Sequence, residues 1–157
     1  MLSKNQIKDA FLSEAEDKLR ALQKSIAQVQ SSIEGEEKSS AGDKYETARA
    51  MSQGELDRLN EQQSKLAKLI NQLKSLSMRD VNEVSMGALV KTNTRTLFFI
   101  GPFGKIVLEG KTILALSAGS PIGQAYLGKK VGEQVIFNGS TEEILEILWR
   151  KNWYRLT

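Results

Sequence analysis

The sequence contains no cysteine and no histidine among its 157 residues. The missing cysteines exclude disulfides, thiolate metal sites and a cysteine nucleophile. The missing histidines remove the commonest general base and the commonest metal ligand. Any catalytic chemistry must therefore use carboxylates, lysine, tyrosine or serine, or be supplied by a partner.

Long apolar runs and a strong excess of one charge are also missing. No stretch approaches the roughly 18 apolar residues of a membrane span, and no charged segment followed by an apolar one marks a leader. We therefore expect a soluble, cytoplasmic protein with no membrane partner. The chain has 22 basic and 19 acidic residues, for a net charge of +3. This balance argues against strong independent binding to nucleic acid and favours a protein partner.

The first half of the chain has the periodicity of two long helices. Apolar residues recur every three or four positions from Ser3 to about Glu34 and again from about Tyr45 to Leu76, which is typical of amphipathic helices. Two helices of about 45 Å, separated by a short Ser-Gly-rich break, most simply form an antiparallel hairpin. We predict a coiled-coil hairpin over residues 1–79, with its functional tip at about residues 34–46.

The second half has a different pattern. Short β-branched or aromatic segments alternate with Gly, Pro and Asn, which indicates strands. Between them, Ser120 as N-cap, Pro121 at the first helical position and Gly128 as the stop predict one short helix. Asn138-Gly139 predicts a hairpin turn between the last two strands. We predict a small antiparallel β-domain over residues 80–157, and the fold class is α+β.

Two carboxylates mark the hairpin tip, Asp43 and Glu46. One interpretation is a capping box, in which Asp43 accepts hydrogen bonds from the start of the second helix and Glu46 reaches back. The other is that the pair helps to hold a hard divalent cation through its oxygen atoms. Two carboxylates bind magnesium weakly by themselves, so this second interpretation requires further ligands from a partner.

Two segments resemble the Gre-type bacterial transcript cleavage factors. "AGDKYETARA" lies where that family has Gly-Asp-x-x-Glu-Asn at the hairpin tip. "SPIGQAYLGKKVGE" matches a segment of its FKBP-like C-terminal domain, in register. The order and the lengths of the domains agree as well, so the resemblance extends over nearly the whole chain.

The resemblance implies a function and a set of site residues. Gre-type factors dock their C-terminal domain on RNA polymerase and insert the hairpin through the secondary channel, where the tip stimulates cleavage of the backtracked transcript by the polymerase. By position, Asp43 and Glu46 would handle a magnesium ion shared with the polymerase active centre and would meet the RNA 3′ end only indirectly. The protein would not be an enzyme by itself and would bind no cofactor tightly. The resemblance assigns polymerase docking to six residues: Ser120, Pro121, Ile122, Leu127, Gly128 and Lys129.

Two other functions stay open. The tip departs from the family pattern at Lys44, Tyr45 and Thr47, and some Gre homologues keep the architecture without cleavage. A non-catalytic regulator that occupies the secondary channel is therefore one alternative. A coiled-coil adaptor unrelated to transcription, in which Asp43 and Glu46 only cap a helix, is the other.

Overall fold

Two long helices open the chain, as predicted. The computed structural model describes residues 3–37 and 42–148. Helix α1 spans Lys4–Glu37 and α2 spans Gly42–Ser75, with 34 residues each. Residues 18–25 of α1 share a groove with residues 62–69 of α2. Since early positions of one helix meet late positions of the other, the pair is antiparallel, and the predicted hairpin is confirmed.

Six strands and one short helix follow the hairpin. The strands are β1 (Leu89–Thr92), β2 (Thr96–Phe98), β3 (Gly104–Leu108), β4 (Lys111–Ala115), β5 (Gln134–Phe137) and β6 (Ser140–Ile147), and helix α3 spans Pro121–Tyr126 between β4 and β5. The strands form one sheet in the order β3-β4-β2-β1-β6-β5. The predicted α+β class is confirmed.

The sheet differs from the predicted antiparallel one in a single pairing. Strand β4 lies parallel to β2, with Leu97 opposite Leu114, while the other four pairings are antiparallel. After β2 the chain crosses to the edge of the sheet and forms β3 there, and β4 then returns between β3 and β2, parallel to β2. Composition and turn signals reveal strands but do not specify such non-local pairing.

The last hairpin forms at the predicted turn. Asn138 and Gly139 connect β5 to β6 with φ angles of 48° and 76°, the left-handed values that a type I′ turn requires at both central residues. Strand β6 extends to Ile147, so the segment "TEEILEI" is a strand rather than a helix. The pairing with β1 skips Leu145, since Lys91 lies opposite Glu146 and Thr92 lies opposite Ile144. This irregularity allows Ile144 and Ile147, three positions apart, both to be buried.

The chain separates into two compact units. One combines the start of α1, up to Ser13, with the chain from Gln72 onward, and the other is Glu14–Asn71. The unit that contains the sheet therefore includes the first residues of α1 and the last residues of α2. It also includes the region after residue 80, which the sequence pattern assigns to the β-domain. Among the described helices, none is long and apolar enough to cross a membrane.

Two consecutive aromatic residues are buried on opposite faces of the sheet. Phe98 and Phe99 have no exposed surface. The ring of Phe98 lies 6.4 Å from that of Phe11 in α1, whereas the ring of Phe99 lies 5.8 Å from that of Tyr126 in α3. Successive side chains of an extended strand point to opposite faces. The start of α1 thus packs on one face through Phe11, and α3 packs on the other through Tyr126.

Polar contacts also anchor the helix ends. The Lys8 ammonium donates to the carbonyls of Lys74 and Leu76, at 3.4 and 3.2 Å, and so satisfies acceptors that the end of α2 leaves open. Lys4 is buried and donates to the carbonyl of Arg79 at 3.3 Å. Burial, only partly offset by Asp80, lowers the pKa of Lys4.

Phe11→Ala tests whether the helix ends are part of the core. Phe11 is 1% exposed, so removing its ring should lower the free energy of unfolding by about 3–5 kcal/mol, as for other buried aromatic residues. Urea unfolding followed by circular dichroism measures the change. Met51→Ala is the matched control, because Met51 is 72% exposed and its truncation should change stability by less than about 0.5 kcal/mol. A similar small change for Phe11→Ala would contradict the packing described.

Candidate functional site

The tip carboxylates lie in the first turn of α2. The helix begins at Gly42, one residue before Asp43, so the backbone places Asp43 at the start of α2. Glu46 follows three positions later and is exposed. Positions three apart are neighbours on a helix surface, so the backbone places the two residues on one side of the turn. The side chain of Asp43 lies outside the described part of the chain.

Electrostatics favour acidic residues at this position. The first turn of a helix exposes unpaired backbone N–H groups and the positive end of the helix dipole. An acidic residue in such a turn benefits from it, whether it acts as a cap or as a ligand. Across the described side chains, no group of three or more acidic residues could hold a metal ion. Two carboxylates by themselves are fewer than the six oxygen ligands in octahedral geometry that magnesium prefers.

The neighbouring face of the same turns is partly apolar. Lys44, Thr47, Ala48 and Met51 line a shallow groove, and their spacing of three and four places them along one side of the helix. Met51 is 72% exposed. The first turns of α2 therefore present a cation, Lys44, and an exposed apolar side chain, Met51, on this face.

The predicted docking segment forms a capped helix. The Ser120 hydroxyl accepts from the backbone N–H of Gly123 at 3.0 Å and donates to the carbonyl of Ser117 at 2.7 Å. Pro121 occupies the first turn, where its missing N–H costs nothing. Gly128 has a φ of 76°, so it ends the helix as predicted. Gly123 faces the loop before the helix, where an added Cβ would lie 2.1 Å from the carbonyl oxygen of Ser117.

The segment after α3 is held by backbone hydrogen bonds. Gly128 donates to the carbonyl of Val84, and Val84 donates to the carbonyl of Lys129, both at 2.8 Å. Ile122 packs against the buried core cluster. Leu127, by contrast, is 42% exposed, and Pro121 is exposed as well. Ser120, Ile122 and Gly128 thus have structural roles. Of the other three predicted docking residues, Pro121 and Leu127 are exposed and Lys129 is half-buried.

A polar cluster that the sequence did not reveal fixes α3 to the sheet. The Tyr126 hydroxyl donates to a carboxylate oxygen of Glu142 in β6 at 2.5 Å. Arg95 makes a two-point contact with the same carboxylate, with distances of 2.8 Å from Nη2 to Oε1 and 3.2 Å from Nε to Oε2. Both oxygens of Glu142 are thereby paired, as a partly buried carboxylate requires.

The cluster changes the pKa values of its members. Burial, together with hydrogen bonding to the Glu142 carboxylate, raises the pKa of Tyr126 to about 12. Burial alone would raise the pKa of Glu142, but the hydrogen bonds from Tyr126 and Arg95 outweigh it and hold that pKa below its ordinary value. The carboxylate therefore stays charged and keeps the tyrosine protonated.

The alternation of residues along β6 contains one signal for this cluster. Glu142 shares the alternation of Ile144 along β6, so it occupies a core-facing position in a strand that is otherwise half-buried. A charged residue at such a position requires a partner. The partner Arg95 is 47 positions away in the sequence, which is why the pattern alone does not identify it.

Comparison with known proteins gives only a structural similarity. No family model matches the chain, and no curated protein matches it. A structure described as the transcription factor Gfh1 has 14% identity and a TM-score of 0.37, and the similarity covers 87% of this chain and 92% of that one. The GreA factor homolog 1 (Gfh1) protein of Thermus thermophilus has 15% identity and a TM-score of 0.35, with 88% and 94% covered. Both TM-scores are low, so neither similarity bears on function.

Alkaline titration tests the Tyr126–Glu142 contact. Because the folded state raises the pKa of Tyr126 from about 10 to about 12, the contact stabilises the protein below about pH 10, and this stability is lost as the pH rises toward 12. Subtracting the tyrosinate absorbance of Tyr126→Phe from that of the wild type isolates this hydroxyl. We expect a midpoint near pH 12. A midpoint close to that of free tyrosine would contradict the contact. Tyr126→Phe keeps the aromatic ring that packs against Phe99, so this variant removes the hydroxyl without removing the packing.

Proposed function

We propose that the protein binds bacterial RNA polymerase through its secondary channel and stimulates cleavage of the backtracked transcript. The observation that carries the proposal is the position of Asp43 and Glu46, in the first turn of α2 where the two helices of the hairpin meet. The matching segment around α3 supports it independently. Such a protein would act in the cytoplasm, where the polymerase is.

The length of the hairpin suits this role. Residues 14–37 of α1 extend over about 36 Å at about 1.5 Å per residue, and α2 returns over a similar length. The described part of the chain within these helices contains no proline and no interruption. A paired helix of this length carries a small group of side chains deep into a channel without a large core around them.

The chemistry at the tip would be shared. Asp43 and Glu46 would supply anionic oxygen ligands, and carboxylates of the polymerase would supply the rest. A magnesium ion held in this way provides positive charge for the attacking and leaving oxygens of a phosphodiester. The chain itself would position ligands and orient water, and the cleaving enzyme would be the polymerase. A chain without histidine or cysteine is sufficient for that task.

A transcript cleavage assay tests the catalytic half of the proposal. On a defined backtracked complex of bacterial RNA polymerase with magnesium, the wild type should shorten the transcript. Asp43→Ala/Glu46→Ala should lower the rate by about a hundredfold or more, because the tip ligands are removed. Glu14→Ala/Asp17→Ala, an exposed pair with the same spacing on α1, is the matched control and should cleave normally. If the wild type does not cleave but competes with a known channel-binding factor, the protein is a regulator and this half of the proposal is wrong.

Docking is tested separately at α3. Leu127→Gln should weaken binding to the polymerase by about tenfold, as expected for an exposed apolar anchor, while leaving the fold intact. Competition with a labelled channel-binding factor measures the affinity. Val107→Gln is the control, because Val107 is an exposed apolar residue of the same unit, 65% exposed on β3. Equal affinities for both variants would contradict docking through α3, and absence of binding by the wild type would contradict the whole proposal.

A further inference from the structure

The two edges of the sheet are formed by hairpins of the same type. Strands β3 and β5 lie at opposite ends of the strand order, and each is joined to its neighbour by a two-residue turn. The turns are Glu109-Gly110, with φ angles of 49° and 76°, and Asn138-Gly139, with φ angles of 48° and 76°. Val107 and Ile136 therefore occupy the same place in the two hairpins, two residues before the turn begins.

The outer edge of β5 presents backbone groups without a strand partner. In an antiparallel pair, residues that exchange hydrogen bonds with the neighbouring strand alternate with residues that do not. Phe137, next to the turn, is of the first kind, and so is Glu133, whose carbonyl accepts from the N–H of Ile144 at 3.0 Å. The N–H and C=O groups of Gln134 and Ile136 therefore point away from β6. No strand lies beyond β5 in the described part of the chain, so these groups are available to another strand.

Charge distinguishes the two edges of the sheet. Val107 is 65% exposed and Ile136 is 70% exposed, so each edge presents a β-branched side chain to solvent. Two positions before Val107 lies the exposed Lys105, and a lysine on an edge strand opposes pairing with another chain. The equivalent residue in β5 is Gln134, and no residue from Gln134 to Thr141 is charged. Strand β3 is thus protected against association, whereas β5 is not.

The residues of β5 complement those of β5 in a second copy of the chain. Antiparallel pairing about a two-fold axis at Val135 places Gln134 of each copy opposite Ile136 of the other, so that all of their outward backbone groups exchange hydrogen bonds. The two Ile136 side chains are then diagonal neighbours on one face of the joined sheets, within contact distance. Glu133 of each copy lies opposite Phe137 of the other, so no like charges stand opposite each other.

We propose that β5 pairs with β5 of a second copy and joins the two sheets into one. The corresponding pairing of β3 would make the Lys105 side chains of the two copies diagonal neighbours, and their like charges would repel. This contrast selects β5 as the edge that associates. The contact involves a strand of only 4 residues in each copy, which is smaller than the interface of a permanent dimer. The dimer is therefore weak and reversible, and it forms at high protein concentration.

Sedimentation equilibrium of the full chain, at concentrations from micromolar to millimolar, tests the proposal. The wild type should pass from monomer to dimer and no further, because a two-fold contact closes on itself. Ile136→Lys should raise the dissociation constant of the dimer about tenfold or more, since it brings two ammonium groups together across the axis. Val107→Lys is the matched control, because it makes the same change at the equivalent position of β3, and it should leave the dissociation constant unchanged.

Proline at the same two positions tests the backbone hydrogen bonds. Ile136→Pro removes an N–H group that points outward and no hydrogen bond of the sheet itself, so the fold should persist by circular dichroism while dimerisation is lost. Val107→Pro makes the same change in β3 and should still dimerise. A wild type that stays monomeric throughout, or equal losses at the two edges, would overturn the proposal. Neither polymerase nor RNA is present, so the result is independent of the cleavage and docking experiments.

Discussion

The structure around the sheet depends on the opposite orientation of Phe98 and Phe99. Both side chains are fully buried, and a sheet with two buried faces needs a covering layer on each. The ends of the hairpin helices supply one layer through Phe11, and α3 supplies the other through Tyr126. Neither layer is dispensable, because removing it would expose a large aromatic surface to water.

The α3 segment shows why a motif is not the same as a binding site. Ser120 caps the helix, Gly128 terminates it and Ile122 packs on the core, so any chain with this fold has a reason to keep residues of these types. What a partner can reach is the remainder, above all the exposed Leu127. The cluster of Tyr126, Glu142 and Arg95 holds this surface in place through contacts that lie beneath it. Geometry therefore separates positioning residues from contacting residues, which a sequence match cannot do.

Local features were predictable from the sequence, and non-local ones were not. The two helices, the cap at Ser120 and the Asn138-Gly139 turn depend on neighbouring residues, and the structure confirms them. The parallel pairing of β2 with β4 and the Arg95–Glu142 contact join distant parts of the chain. Their formation depends on which strands pair, and that is decided by packing rather than by local preference.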